Sequence, residues 1–171
     1  GPYLKTEGTA SAASEAGRFL LDSYHRVLAL AAQHSVCHVV YHMTQKTFTD
    51  PLQPPVFWTQ AEENAGQIME LGRQYSVPVL IENLPCPADR IPLYTNEQYA
   101  SFFRRFPTAE SLIDIGHAHM TGLRLKPFLA CHGDRVRAYH FHNNDGTRDQ
   151  HNDIFDGTFD FSQFAPVFRA Y

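Results

Sequence analysis

Between Ala138 and His151 the chain reads Ala-Tyr-His-Phe-His-Asn-Asn-Asp-Gly-Thr-Arg-Asp-Gln-His. Imidazoles and carboxylates are the side chains that bind hard and borderline metal ions and move protons near neutral pH. Their density here points to the rim of a metal or acid–base site. Val136 to His142 has the composition of a buried strand. Alternate side chains of a strand share a face, so His140 and His142 are expected to point the same way. One histidine at the end of an apolar run is more often a packing residue. Three histidines with Asp145, Arg148 and Asp149 are harder to explain so.

Other apolar runs end in the same way. Val36 to His42 ends in His42, Pro78 to Glu82 ends in Glu82-Asn83, and Leu112 to Gly116 contains Asp114 and leads to His117. In each, the polar residue follows an apolar one by two positions: Val40/His42, Leu80/Glu82 and Leu112/Asp114. Strands with this pattern have an apolar interior face and a polar mouth.

Helices must separate these strands and set their direction. Ser11 to His34 carries Leu20, Tyr24, Val27, Leu28 and Ala31 at helical spacing. Thr59-Gln60-Ala61-Glu62 has the form of a capping box opening a helix with Ala65, Ile68, Met69 and Gly72 on one face. Thr95-Asn96-Glu97-Gln98 is a second capping box, before Tyr99, Phe102 and Phe103, and Pro107 stops that helix. Further helices are expected at Arg124 to His132 and from Phe161 onward. Loops are expected at Thr44 to Pro55 and Pro85 to Leu93, and a turn at Asp156 to Asp160. Helices alternating with strands imply right-handed crossovers and a parallel sheet. In a parallel barrel the C-terminal strand ends share one rim, where the active site lies. His42, Glu82, Asp114 and His142 would meet there. The remaining His25, His34, His38, His119 and His132 are assigned to the surface or to packing.

The chain has 171 residues, 43% apolar and 19% charged, with net charge −4 and ten histidines. This describes one globular domain, residues 1–171, rather than a disordered chain. The absence of a Lys/Arg run argues against a nucleic-acid partner. Cys37, Cys86 and Cys131 are odd in number and widely spaced, so reduced thiols and a cytoplasmic location are expected. No apolar run is long enough to span a membrane. No Gly-x-Gly-x-x-Gly follows a strand, which removes the usual dinucleotide cradle.

Ile81-Glu82-Asn83, Leu112-Ile113-Asp114-Ile115-Gly116-His117-Ala118 and His140-Phe141-His142-Asn143-Asn144-Asp145-Gly146 resemble the xylose-isomerase-like TIM barrels. That superfamily holds sugar and sugar-phosphate isomerases and epimerases and the endonuclease IV type of AP endonuclease. The resemblance implies an α/β fold, a (β/α)8 barrel present here without its first strands and its last one. Gly1-Pro2-Tyr3 resembles the tail of strand three. The resemblance also implies a divalent metal (Mn, Mg, Co or Zn) held by Glu82, Asp114 and His142, with a fourth ligand expected from a last strand. Four or so strands cannot close a barrel, and an open sheet edge invites pairing with another chain, so a homo-oligomer is in view.

The resemblance bears on the reaction as well. In ketose 3-epimerases a His three after the metal Asp and an Arg six after the metal His bind substrate, and His117 and Arg148 stand at those spacings. Those enzymes carry a second Glu six after the metal Glu, and here that position is Ala88. The additional ligands of a trinuclear zinc nuclease resemble His42, His117, Asp149 and His151. His140 is either a further ligand or orients His142. Three functions follow. The first is a metal-dependent isomerase or epimerase acting on a small sugar or sugar phosphate, through a metal-stabilised enediolate with Glu82 moving the proton. The second is an endonuclease IV-like AP endonuclease with a multinuclear zinc site. The third is a non-catalytic fragment.

Overall fold

The computed structural model describes Leu4 and residues 7–168; Gly1-Pro2-Tyr3 lies outside the described residues. After a short turn at Glu7–Thr9, the order is α1 (Glu15–Gln33), β1 (Val39–Tyr41), β2 (Thr47–Phe48), α2 (Pro54–Gln74), β3 (Val79–Glu82) and β4 (Ile91–Pro92). It continues with α3 (Asn96–Arg105), β5 (Glu110–Asp114), α4 (Ile115–Thr121), α5 (Leu125–His132), β6 (Val136–His140) and α6 (Phe161–Phe168).

Four strands form a parallel sheet in the order β1-β3-β5-β6. Their register sets Tyr41 beside Ile81, Glu82 beside Leu112 and Asp114 beside His140. All four C-terminal ends therefore reach the same edge of the sheet, as the alternating pattern required. The sheet is a partial barrel. β3 is buried along its whole length, whereas β6, at the sheet's edge, is only half-buried. Helices cover the sheet with the faces the periodicity identified: Leu20, Tyr24 and Leu28 from α1, Ala65 and Ile68 from α2, Phe102 and Phe103 from α3. Burying a Leu or Phe side chain contributes roughly 1.5–3 kcal/mol, so these faces dominate the stability of the layer. Among the described residues no helix is long and apolar enough to cross a membrane.

Several boundaries differ from expectation. Helix α2 begins at Pro54, a turn before the proposed Thr59 capping box, with no side-chain cap at Gln53. Pro54 and Pro55 lack the N–H groups that a first turn leaves unpaired, so they start the helix without a polar cap. Thr59 is then an exposed interior residue. The Thr95 box is present as read, with Thr95 and Gln98 exchanging bonds. β5 ends at Asp114, not Gly116, because the Asp114 side chain accepts the His117 N–H and caps α4. That helix falls inside the expected strand and the loop after it. β6 stops at His140, and Asn143 bridges to Asn152 beyond it. The loops after β1 and β3 are tied by a two-residue ladder, Thr47 to Pro92 and Phe48 to Ile91, over a cluster of Phe48, Ala61 and Leu93.

The two Thr boxes give a direct comparison. Thr95→Ala is expected to destabilise the chain by about 1 kcal/mol in urea unfolding, the usual cost of a lost N-cap. Thr59→Ala is expected to stay within about 0.5 kcal/mol of the parent. Equal losses at both sites would contradict the helix start at Pro54.

Candidate metal centre

Glu82 is the last residue of β3 and Asp114 the last of β5, so neighbouring strands deliver two carboxylates side by side. Glu82 is 1% exposed and Asp114 is fully buried. Buried carboxylates need positive or hydrogen-bonding partners. His42, just past β1, meets Glu82 Oε2 through its Nε2. His140, at the end of β6, places Nδ1 3.1 Å from Glu82 Oε1 and 3.5 Å from Asp114 Oδ2. His117, in α4, has Nδ1 3.6 Å from Glu82 and 3.8 Å from Asp114, but donates its proton to the Asn83 carbonyl at 2.9 Å. The donation fixes the tautomer and turns Nε2 towards Asp149, 3.4 Å away.

His142 lies two residues past β6 and is 5% exposed. Its Nε2 is 2.8 Å from Asp114 Oδ1, yet the ring is not aligned to donate, and among the described residues neither ring nitrogen makes a hydrogen bond. Asp114 Oδ2 is likewise buried without one. A buried imidazole and carboxylate set side by side without a hydrogen bond are arranged as two ligands of a common cation are. A Cβ on Gly116 would overlap the His142 ring, so this close approach requires glycine. The Asn144 amide donates to the Gly116 carbonyl at 2.9 Å and stitches the loop after β6 onto α4.

Asp149 and His151 come from that loop. Asp149 Oδ1 is 3.7 Å from His142 Nε2 and 3.2 Å from His151 Nε2. His151 adopts the left-handed region, φ 53°, and stacks its ring on His142 with centroids 4.0 Å apart. Two donor groups result. Glu82, Asp114 and His117 form one, and His117, His142, Asp149 and His151 the other; in each, the ligand atoms lie within 4.8 Å of one another. The donor set is nitrogen and oxygen without thiolate, which suits Zn²⁺, Mn²⁺, Co²⁺ or Mg²⁺. The residues present fit a divalent cation.

The electrostatics follow from this crowding. For Glu82, burial opposes ionisation, but hydrogen bonds from His140 and His42 and the charges of His42 and His117 outweigh it and hold the carboxyl at about 2. The close approach of the Asp114 and Glu82 carboxylates pushes His140 up to about 10, against burial. His117 is raised: burial would lower it, but the bond to Asp149 and the charge of Asp114 prevail. Asp149 is lowered by its bond to His117 and by the nearby imidazoles, against burial.

The expected residues other than Arg148 thus converge. His140 touches the two carboxylates and makes no hydrogen bond to His142. Arg148 is exposed, 3.9 Å from Asp145, and is absent from the described residues lining the cleft. That cleft, about 200 Å³, is walled by Gln45, Leu84 and Pro85 beside the ligand residues. A smaller cavity, about 40 Å³, lies towards the β2–β4 ribbon and shares those walls and Glu82. Gln45, Leu84, Pro85, Asn83 and Gly116 escaped the reading of side-chain chemistry because none is a strong ligand or base. Asn83 and Gly116 stand in the motifs that carry the resemblance, and the other three have only their nearness in the chain to the strand-end ligands as a signal.

This fold agrees with comparison to known proteins. The model of the family described as "Xylose isomerase-like TIM barrel" matches residues 1–170. The chain belongs to that family. Among solved structures it is similar to a D-tagatose 3-epimerase-like protein (TM-score 0.80, 16% identity, 99% of this chain and 64% of that one). It is similar also to the 3-keto-D-glucoside 4-epimerase of E. coli (TM-score 0.72, 16% identity, 99% and 65%). A third is the AP endonuclease, family 2, of Brucella melitensis (TM-score 0.61, 14% identity, 94% and 61%). The chain spans a little under two thirds of the length of each. No curated protein matches it.

Two outcomes follow from the geometry. Gly116→Ala is expected to displace His142 and weaken divalent-metal affinity by more than about ten-fold, the scale seen when a ligand's support is lost. Calorimetric titration measures this, and unchanged affinity would show that His142 is not held against α4.

The second concerns pH in metal-free protein. Glu82 binds its proton less tightly when folded, about 2 against 4.5, so its stabilisation is full above about pH 4.5 and is lost as pH falls towards 2. His140 binds its proton more tightly, about 10 against 6.5, so its stabilisation is full below about pH 6.5 and is lost as pH rises towards 10. Melting temperature is expected to peak between these limits. His140→Gln should flatten the alkaline fall, and an unchanged fall would remove His140 as its cause.

Proposed function

We propose that this chain carries the metal-binding rim of a sugar isomerase or epimerase. The observation that carries the reading is the buried group Glu82, Asp114 and His117, with His142 beside Asp114 and unpartnered. Glu82 and Asp114, on neighbouring strands, would hold a divalent cation together with His142, and His117 and His42 lie within reach of the same carboxylates. When bound, such a cation supplies positive charge beside a substrate carbonyl, which makes the adjacent C–H more acidic.

The chain's own residues supply the rest. Glu82 stays ionised throughout the neutral range, which suits it to holding a cation. With its proton affinity this low, it accepts a proton only weakly until its imidazole partners move. His140, half exposed and charged, is placed to donate to a substrate oxygen while still touching Glu82 and Asp114. Support for a sugar comes from the two epimerase-type structures above and from the net charge of −4. Arg148 can anchor an anionic group only if its loop turns inward, so the reading gives it no contact with substrate in the conformation described.

A second reading has its own observation. His117, His142, Asp149 and His151 make a further donor group, and two or more cations sharing the Asp114 carboxylate would suit hydrolysis of a phosphodiester, as in an AP endonuclease. The experiment separates the two. The Mn²⁺-loaded chain is incubated in D₂O with a panel of ketoses and ketose phosphates, and the Zn²⁺-loaded chain separately with abasic-site DNA at moderate salt. Incorporation of deuterium next to the carbonyl, lost on chelation and in Asp114→Ala, is the expected result. Nicking of the DNA that is lost on zinc removal, without isotope exchange, would overturn the first reading in favour of the second. Metal binding with neither activity supports a non-catalytic role.

A further inference from the structure

We infer that Asn83 is the positioning residue of the metal centre: its side-chain amide continues the β3–β5 ladder past the end of β3 and fixes the Asp114 carboxylate level with that of Glu82. This rests on the metal-binding reading above.

Regular pairing of β3 with β5 ends at Glu82 opposite Leu112. Asp114 lies beyond it, so its backbone on that side needs another partner. Asn83 provides both halves. Its Oδ1 accepts the Asp114 N–H at 2.8 Å, and its Nδ2 donates to the Asp114 carbonyl at 2.9 Å. A carboxamide has the donor and acceptor of a peptide group in one plane, so it can replace one. Asn83 is 6% exposed, and no water can substitute easily at either bond.

The spacing selects asparagine. The side chain must reach across from the residue directly after Glu82, which a single methylene allows and the longer glutamine would overshoot. Aspartate would lack the donor for the Asp114 carbonyl. Meanwhile the Asn83 backbone carbonyl accepts the His117 Nδ1 proton. One residue therefore holds a ligand of each donor group, Asp114 by its side chain and His117 by its main chain. Its effect falls first on the Glu82–Asp114 pair, because only that link is lost when the side chain is removed.

The test is Asn83→Ala in the whole chain, read by calorimetric titration with Co²⁺, by the visible spectrum of the Co²⁺ form and by hydrogen exchange of the Asp114 amide. Expected are an affinity about 10–100-fold weaker, a shifted Co²⁺ spectrum and faster exchange at Asp114. In an Asp114→Ala background the same substitution should weaken binding little further, because Asn83 acts through Asp114. Full additivity, or wild-type affinity and spectrum in the single variant, overturns the inference while leaving the metal centre intact. A parent chain that binds no Co²⁺ removes both this inference and the reading beneath it. If the alanine variant does not fold, Asn83→Asp takes its place. It keeps the acceptor for the Asp114 amide and loses the donor, and a Co²⁺ spectrum identical to the parent's would equally overturn the proposal.

Discussion

Two carboxylates buried side by side are the constraint to which the rest of this structure answers. Taking a carboxylate out of water costs several kcal/mol even after relaxation, and a second one adjacent raises that cost by mutual repulsion. Glu82 and Asp114 are nevertheless placed at the ends of the two central strands, with almost no exposure. The compensation is visible in every direction. His42 faces Glu82 from β1, His140 faces both from β6, His117 faces both from α4, and the N-terminus of α4 directs the His117 N–H at Asp114. Imidazoles are suited to this because they can carry a proton beside a carboxylate or offer a lone pair beside it to a cation.

Compensation by protons and compensation by a metal ion are alternatives for the same oxygens. His140 shows the first: two carboxylates hold it protonated far above its usual range. His142 shows the second: it lies against Asp114 with no hydrogen bond to justify its burial. Asp114 Oδ1 accepts the His117 N–H, while Oδ2 is buried without a hydrogen bond and stays open to a cation. The steric requirement at Gly116 indicates the same priority, since the first turn of α4 carries no side chain there and so admits the ring.

The carboxylate and imidazole tips were legible in the sequence because strand alternation and the strand–helix rhythm are long-range regularities. Val40/His42, Leu80/Glu82 and Leu112/Asp114 needed only a period of two to be placed at one mouth. The edges of elements were less legible. The Thr59 pattern mimicked a cap, but two prolines upstream can open a helix with no cap at all, and propensity at one site does not show which start wins. Asp114 was read as a strand residue and is also a helix cap, a double role set by how its carboxylate meets the His117 N–H. The role of Asn83 was hidden for a similar reason. Its partner is thirty-one positions away and is main chain, which no side-chain pattern records. His140 was read as a further ligand or as orienting His142, and it lies against Glu82 and Asp114 because β6 delivers it directly opposite Asp114 in the register.

The two donor groups differ in what holds them, and this bears on how one fold supports unlike reactions. Glu82 and Asp114 are carried by strands and tied across by Asn83, so their separation is set by the sheet. Asp149 and His151 are carried by an exposed loop, and their approach depends on a left-handed residue and on Asn143 and Asn144 anchoring that loop to Ile154, Phe159 and Gly116. Sites built on regular elements hold their geometry more closely than sites built on loops. The strand-borne pair is thus the fixed half of the centre, and the loop-borne pair is the half that can be adjusted without disturbing the barrel. His117 joins them, with Nδ1 committed to the Asn83 carbonyl and Nε2 directed to Asp149. The first donor group therefore depends on the sheet, and the second on how the loop after β6 is anchored to it.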